Sequence, residues 1–311
     1  MDVEITKKNG ESFRLSEYDI QAQDFNVSSI ELLPTYGSIE GRSGAVDYGA
    51  DYGSRTISVP FYLRAYDMHD YPLLRDELFS LVTTKESFYI RELRRPSEFT
   101  TCDDGYDDEY VGGKRYLVRL SNVINLDQQR TYGFGEMVFE TSELPFAESI
   151  GTSADIDKNG IPKDWIGMGF DGISELSYKT LVYGKGSTTE QFILPFFSVK
   201  NSNALGYFRI FNPGIAVHPF EQEIKISVYD ADGSDEYLEL VNNTNGSSFR
   251  LNEGLENKKL VIDGPNITLN NLQALRKTNR KYVELSPGWN EFSLKGVIKA
   301  TIEFDFRFYY L

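Results

Sequence analysis

Residues 302–310 read Ile302-Glu303-Phe304-Asp305-Phe306-Arg307-Phe308-Tyr309-Tyr310. Ile302, Phe304, Phe306, Phe308 and Tyr310 alternate with Glu303, Asp305, Arg307 and Tyr309. A strand points successive side chains to opposite faces, so this period of two predicts one sheet with an aromatic core face and a polar outer face. The segment Glu223–Tyr229 repeats the pattern, with Ile224, Ile226 and Val228 set against Lys225 and Ser227. Gln191–Phe197, Tyr207–Phe211, Tyr237–Val241 and Trp289–Leu294 read as further strands. So do Ile57–Leu63, Ser87–Leu93, Lys114–Leu120 and Glu136–Thr141 in the first half of the chain.

Turn chemistry separates these strands. Asn9, Asp104, Asn159, Asp171, Asp232, Asn245 and Asp263 are each followed by Gly, and such pairs accept the positive φ of tight turns. One helix interrupts the β pattern. Asp70 and Pro72 mark its start, and Leu74, Leu78, Leu81 and Val82 recur at helical spacing, which predicts a helix at about residues 70–83. Many short strands with one helix define a mainly β fold of sandwich or barrel type.

Composition bounds the function. The chain has 311 residues, one Cys, two His and a formal net charge of −15. Cys102 has no disulfide partner, and three Cys/His residues are too few for a zinc site built from those ligands. The acidic balance argues against a dedicated nucleic-acid binder. The opening MDVEITKKNG lacks an apolar stretch behind a basic start, and no long apolar run follows, so neither a secretory leader nor a membrane span is expected. The charge is uneven, at −12 over residues 1–150 and −3 over residues 151–311. Between the halves, Ala147–Lys163 is small, polar and turn-rich, which reads as an inter-domain linker.

Reactive constellations are sparse. His69 and His218 lie in loops without an H-E-x-x-H context, and no nucleophile elbow occurs. Gly167, Gly169 and Gly172 match G-x-G-x-x-G, but no helical pattern follows, so they read as loop glycines rather than a nucleotide site. Asp103–Glu109 reads as a solvated acidic loop, and the Arg91, Arg94 and Arg95 cluster as ion-paired. Asp155, Asp157 and Asn159, followed by Gly160, resemble the first half of a calcium loop. Its twelfth position is Ile166, so the bidentate carboxylate is missing. No catalytic residue and no cofactor are expected.

The order of features is more telling than any one of them. Gly41-Arg42-Ser43-Gly44 opens the Tyr/Gly-rich stretch AVDYGADYGSR. The strand Thr56–Leu63, the helix, Phe88–Leu93, Lys114–Leu120, a Gly-rich strand Gly133–Thr141 and Glu143-Leu144-Pro145-Phe146 follow. Phe211-Asn212-Pro213-Gly214 and Leu285-Ser286-Pro287-Gly288-Trp289-Asn290 precede the last strand. This order, over the whole chain, resembles the distal tail (Dit) proteins of long-tailed siphovirus bacteriophages of Gram-positive hosts.

The resemblance implies two domains. Residues 1–148 are a ring-forming β-sandwich with one helix, and residues 149–311 a galectin-like jelly roll. It further implies a structural, non-enzymatic virion protein that assembles in the host cytoplasm as a homo-hexamer. Its partners are the tail tube protein, a tail-tip or tail-associated protein, and receptor-binding or baseplate proteins. DNA passes its lumen without specific binding, and no membrane is engaged. The segment Gly41–Gly53 reads as a flexible aromatic arm suited to wrapping a neighbour, with Tyr36, Tyr48 and Tyr52 as interface residues; the alternative is a disordered surface loop. The alternative is a lectin-like module in which exposed Trp165, Trp289 or Tyr309 stacks on sugar rings; packing roles compete for both tryptophans.

Overall fold

The computed structural model describes residues 1–95, 108–165, 167–173, 176–183, 207–234 and 236–311. The chain is mainly β and divides into two compact units, Met1–Glu148 with Leu311, and Ser149–Tyr310. The candidate strand Gln191–Phe197, Cys102 and residues 103–107 of the acidic segment lie outside the described residues.

The first unit is built on an antiparallel sheet. Its path runs Ser12–Arg14, Asp2–Thr6, Phe88–Arg94, Lys114–Leu120, Tyr132–Thr141, Thr56–Arg64 and Ile20–Ala22. The longest ladder pairs Tyr132–Thr141 with Thr56–Arg64, from Tyr132 opposite Arg64 to Glu140 opposite Thr56. Ile57, Val59, Phe61 and Leu63 on one strand and Met137 and Phe139 on the other are fully buried, as the period of two requires. Asp2–Thr6 and Ile20–Ala22, near the two ends of the path, approach each other, so the sheet curls around this core.

Helix α1, Tyr71–Val82, sits inside the predicted 70–83. Its start is held by Asp67 rather than by the expected cap Asp70. Asp67 Oδ1 accepts from the amides of His69 and Asp70 at 2.8 and 2.9 Å, which pulls the carboxyl below its usual range. Tyr71, Leu74, Leu78, Leu81 and Val82 face the core, while Leu73 is exposed.

The second unit contains two antiparallel sheets. A six-stranded sheet runs Lys179–Tyr183, Lys299–Phe306, Ile224–Asp232, Leu260–Asp263, Asn266–Leu269 and Leu272–Gln273. A four-stranded sheet runs Tyr207–Asn212, Gly288–Lys295, Leu238–Asn242 and Ser248–Leu251. Phe304 of the first packs on Phe292 and Phe208 of the second, with ring centroids 5.1 and 6.2 Å apart. These contacts fill a sandwich core of the kind two inward faces produce.

Two expectations change here. The strand ends at Phe306, and the alternation of burial continues through Phe308 but fails at Tyr309–Tyr310, where both side chains are buried. Tyr309, expected on the outer face, is therefore buried, and its hydroxyl accepts from the Glu223 amide at 3.1 Å. The segment read as a linker is folded. It contains helix α2, Ser153–Asn159, which Ser153 ties to the last strand. Ser153 Oγ donates to the Phe304 carbonyl at 2.8 Å and accepts from the Phe306 amide at 3.0 Å.

Candidate subunit-contact surface

Leu32–Ser38 and Ala45–Tyr52 form a hairpin that joins no other strand among the described residues. The Gly41–Gly53 segment is thus ordered along most of its length, not a flexible arm. Its root is closed by hydrogen bonds from Glu31 N to Ser54 O at 3.0 Å and from Gly53 N to Glu31 O at 2.8 Å. The register runs Leu32 opposite Tyr52 and Pro34 opposite Ala50, then shifts so that Tyr36 faces Asp47. The extra residue is absorbed at Gly49, whose φ of +100° an L side chain rarely adopts. Its amide is held by Asp47 Oδ1 at 2.9 Å.

The side chains explain why this hairpin is unusual. Tyr36, Tyr48 and Tyr52 are 62, 67 and 53% exposed, and Leu32, Leu33 and Ile39 stand out of the protein beside them. The ring of Tyr48 lies across Gly37, where a Cβ would meet ring carbon Cε2 at 2.4 Å. Tyr52 makes an edge contact with Phe146, with centroids 5.5 Å apart. An isolated two-stranded hairpin is marginal in water, and unpaired edges flanked by apolar side chains are a template for another chain. The three tyrosines are brought together on one element; the period of the hairpin itself is hidden in sequence by the register shift and the glycines.

Other candidates resolve differently. Helix α2 takes up Asp155, Asp157 and Asn159, and alternate residues on a helix point about 200° apart, so the three do not converge. Asp155 Oδ2 accepts from the Thr152 amide at 2.9 Å, and Asp157 Oδ1 from the Tyr178 amide at 2.8 Å. Burial pushes the Asp157 carboxyl up, against the lowering effect of those backbone bonds. Among the described residues no group of three or more His, Cys, Asp and Glu side chains is placed to hold a metal.

Gly167, Gly169 and Gly172 all have positive φ in a loop, and no helix follows among the described residues. His218 Nε2 lies 3.5 Å from a Glu284 carboxylate, and His69 sits in the turn before α1. Arg94 pairs with Glu92 and Asp24, Arg95 with Asp108, and the Arg91 guanidinium lies 3.5 Å over the Tyr110 ring. Trp165 and Tyr309 are 3 and 2% exposed, so neither is a stacking platform. Trp289 is half-exposed and leans on Phe211, with centroids 5.0 Å apart.

Comparison with known proteins follows the same line. Residues 8–141 match the family model of the phage tail protein RIFT-related domain. Among solved structures, the chain is similar to the Dit protein (gp 19.1) of phage SPP1, described as a paradigm of the hub adsorption apparatus in phages infecting Gram-positive hosts. The identity is 11% and the TM-score 0.58, over 98% of this chain and 99% of that one. Chains of the phage p2 baseplate in its activated conformation, with Sr and with Ca, align at a TM-score of 0.40 and 8% identity. They cover 98 and 99% of this chain and 97% of each of those. No curated protein sequence matches the chain.

Residues 8–141 of the first unit thus match a phage tail domain, and the chain shares its fold with the SPP1 Dit protein. The domain match and the shared fold agree with the resemblance read from the sequence, to the distal tail (Dit) family.

Proposed function

We propose that this protein is a distal tail hub. Six copies of the first unit close into a ring that continues the tail tube, and the ring carries the tail-tip and receptor-binding or baseplate proteins on its other surfaces. It acts without catalysis, by presenting surfaces, and is assembled into the virion in the host cytoplasm.

The observation that carries this reading is the hairpin Leu32–Ser38 and Ala45–Tyr52, ordered yet exposing three tyrosines and three aliphatic side chains. Its edges and apolar side chains are satisfied when it lies on the neighbouring copy, and repetition of that heterologous contact closes a ring. Charge fits the same picture. Residues 1–150 carry −12 per copy, so six copies surround the channel with a negative field that lets DNA slide through without adhering.

The test is the solution mass of the intact chain against a variant in which residues 32–52 are replaced by a short Gly-Ser turn. The intact chain gives six times the protomer mass, and the variant gives a folded monomer. A variant that still forms the six-membered ring overturns the role of the hairpin; an intact chain that stays monomeric at every concentration and with tail tube protein present overturns the ring.

A further inference from the structure

The outer face of the first unit's sheet carries a row of arginines, although residues 1–150 have a net charge of −12. Glu4 stands directly opposite Arg14 on one side and Arg91 on the other. Arg115, one residue before the Tyr116 that faces Ile90, extends the row onto the next strand, and Arg119 follows four residues along it. Val3, Ile5, Phe13, Ile90 and Val118 of the same strands are buried, so alternation turns these charged residues outward.

The arginines are held in place by tyrosines. The Arg91 guanidinium lies 3.5 Å from the centroid of the Tyr110 ring, and that of Arg14 lies 5.6 Å from it. The Tyr110 hydroxyl donates to Glu4 Oε2 at 2.6 Å, and Arg91 Nη2 donates to the Gly112 carbonyl at 3.1 Å. Arg115 lies 3.7 Å over the Tyr89 ring and pairs with Glu148 at 2.7 Å. A guanidinium lying flat on a ring is already ordered and keeps an edge of N–H donors for a carboxylate. Arg14 and Arg119 have no ion-pair partner among the described residues, and Arg119 is exposed.

We propose that this arginine–tyrosine face receives the hairpin Leu32–Ser38 and Ala45–Tyr52 of the neighbouring copy. The hairpin has the complementary chemistry. Residues 31–53 hold Glu31, Glu40, Asp47 and Asp51 against Arg42 alone. Tyr36 stands directly opposite Asp47, which places a ring and a carboxylate on one face. Asp47 Oδ1 accepts from the Gly49 amide, and Oδ2 has no partner among the described residues. A carboxylate at the edge of a guanidinium and a ring on its flat side are the two contacts that arginine makes best. Donor and acceptor are different patches of one chain, as a closed ring of identical copies requires.

Charge decides between this face and the other aromatic one. Tyr62, Tyr132 and Phe134 cluster on the outer side of the two long strands, with centroids 6.1 to 6.4 Å apart. Asp127 stands opposite Phe134, and Glu136 lies two residues further on, against Arg64 alone, so an acidic hairpin is repelled there. The inference rests on the ring proposed above for its partner and adds the face that the partner meets.

The experiment is sedimentation velocity on the full chain in about 0.1 M salt, where exposed charges still act over about 10 Å, with and without tail tube protein. Arg14→Glu with Arg119→Glu reverses the face, and Glu40→Lys with Asp51→Lys reverses the hairpin. Each pair weakens self-association about 10-fold or more, and all four changes together restore it to within about 3-fold of the parent. Circular dichroism of each variant matches the parent; where Arg14→Glu disturbs folding, Arg119→Glu alone, at an exposed position, weakens association about 3-fold. A six-membered ring of unchanged stability in both pairs, or no recovery in the combination, overturns the proposal and leaves the ring standing. An assembly of another order that keeps the reciprocal pattern overturns the ring and leaves the pairing standing, and a chain that never associates overturns both. Duplex-DNA binding that Arg14→Glu with Arg119→Glu abolishes, at unchanged self-association, assigns the face to nucleic acid and overturns the proposal.

Discussion

Replacing Asn290 with Ala removes the centre of a buried amide network. Asn290 is fully buried. Its Oδ1 accepts from the Ser286 amide at 2.8 Å and from Asn242 Nδ2 at 2.9 Å. Its Nδ2 donates to the carbonyls of Ser286 and Gly288 at 2.7 and 3.1 Å. Truncation orphans the Ser286 amide, at about 1–3 kcal/mol for a buried unsatisfied donor. The remaining lost bonds add about 1 kcal/mol each, and are partly compensated. Asn242 keeps its bond to the Glu284 carbonyl at 2.8 Å, and the Ser286 carbonyl keeps Asn212 Nδ2 at 3.3 Å.

The total is about 3–5 kcal/mol, among the larger effects of a single substitution. Both tryptophans of the chain, Trp165 and Trp289, lie in the second unit, so their emission reports that unit alone. Equilibrium urea unfolding followed by tryptophan fluorescence then shows a midpoint lowered by about 2 M, for a slope near 2 kcal/mol/M. Asn290→Asp falls at least as far, because it turns an acceptor toward two carbonyls. A midpoint within about 0.5 M of the parent in Asn290→Ala refutes the reasoning, since it means that water already serves these amides.

Other expectations follow from single contacts. Tyr36→Ser with Tyr48→Ser removes two exposed rings, at about 2–3 kcal/mol each per subunit contact if the neighbour covers them, and shifts ring to monomer on native mass spectrometry without changing the circular dichroism. Asp157 holds its proton to higher pH when folded than when unfolded, because burial raises its carboxyl. Its contribution is therefore greatest below the unfolded value and is lost as pH rises from about 4 upward. Asp157→Asn flattens that part of the stability–pH curve, and millimolar calcium leaves the melting temperature of the parent unchanged. Gly214→Ala forces a Cβ to 2.2 Å from the Tyr309 carbonyl oxygen, a backbone atom, and lowers the second unit's urea midpoint by about 1 M or more.

How much of this the sequence revealed depends on the length of the pattern. Strands with five or more alternating residues, such as Thr56–Arg64 and Ile224–Asp232, are legible because one buried face imposes the period. Helix α1 is legible from its leucines. The hairpin at residues 32–52 is not, because nothing in its own unit buries one face, and so selects no alternation. Helix α2 is short, and its Asp-x-Asp-x-Asn-Gly sequence serves an N-terminal cap and a C-terminal glycine at φ +76° as readily as a calcium loop. That Tyr36, Tyr48 and Tyr52 are exposed on one hairpin is a finding of the fold alone.

The central claim is that the hairpin of each first unit lies on the next copy and that this contact closes at six. The most direct measurement is a side-chain-resolved cryo-electron microscopy map of the assembled protein. The account predicts sixfold symmetry, with Tyr36 and Tyr48 of every copy buried against its neighbour. A ring of another order, or a sixfold ring whose Tyr36 and Tyr48 remain in solvent, contradicts it.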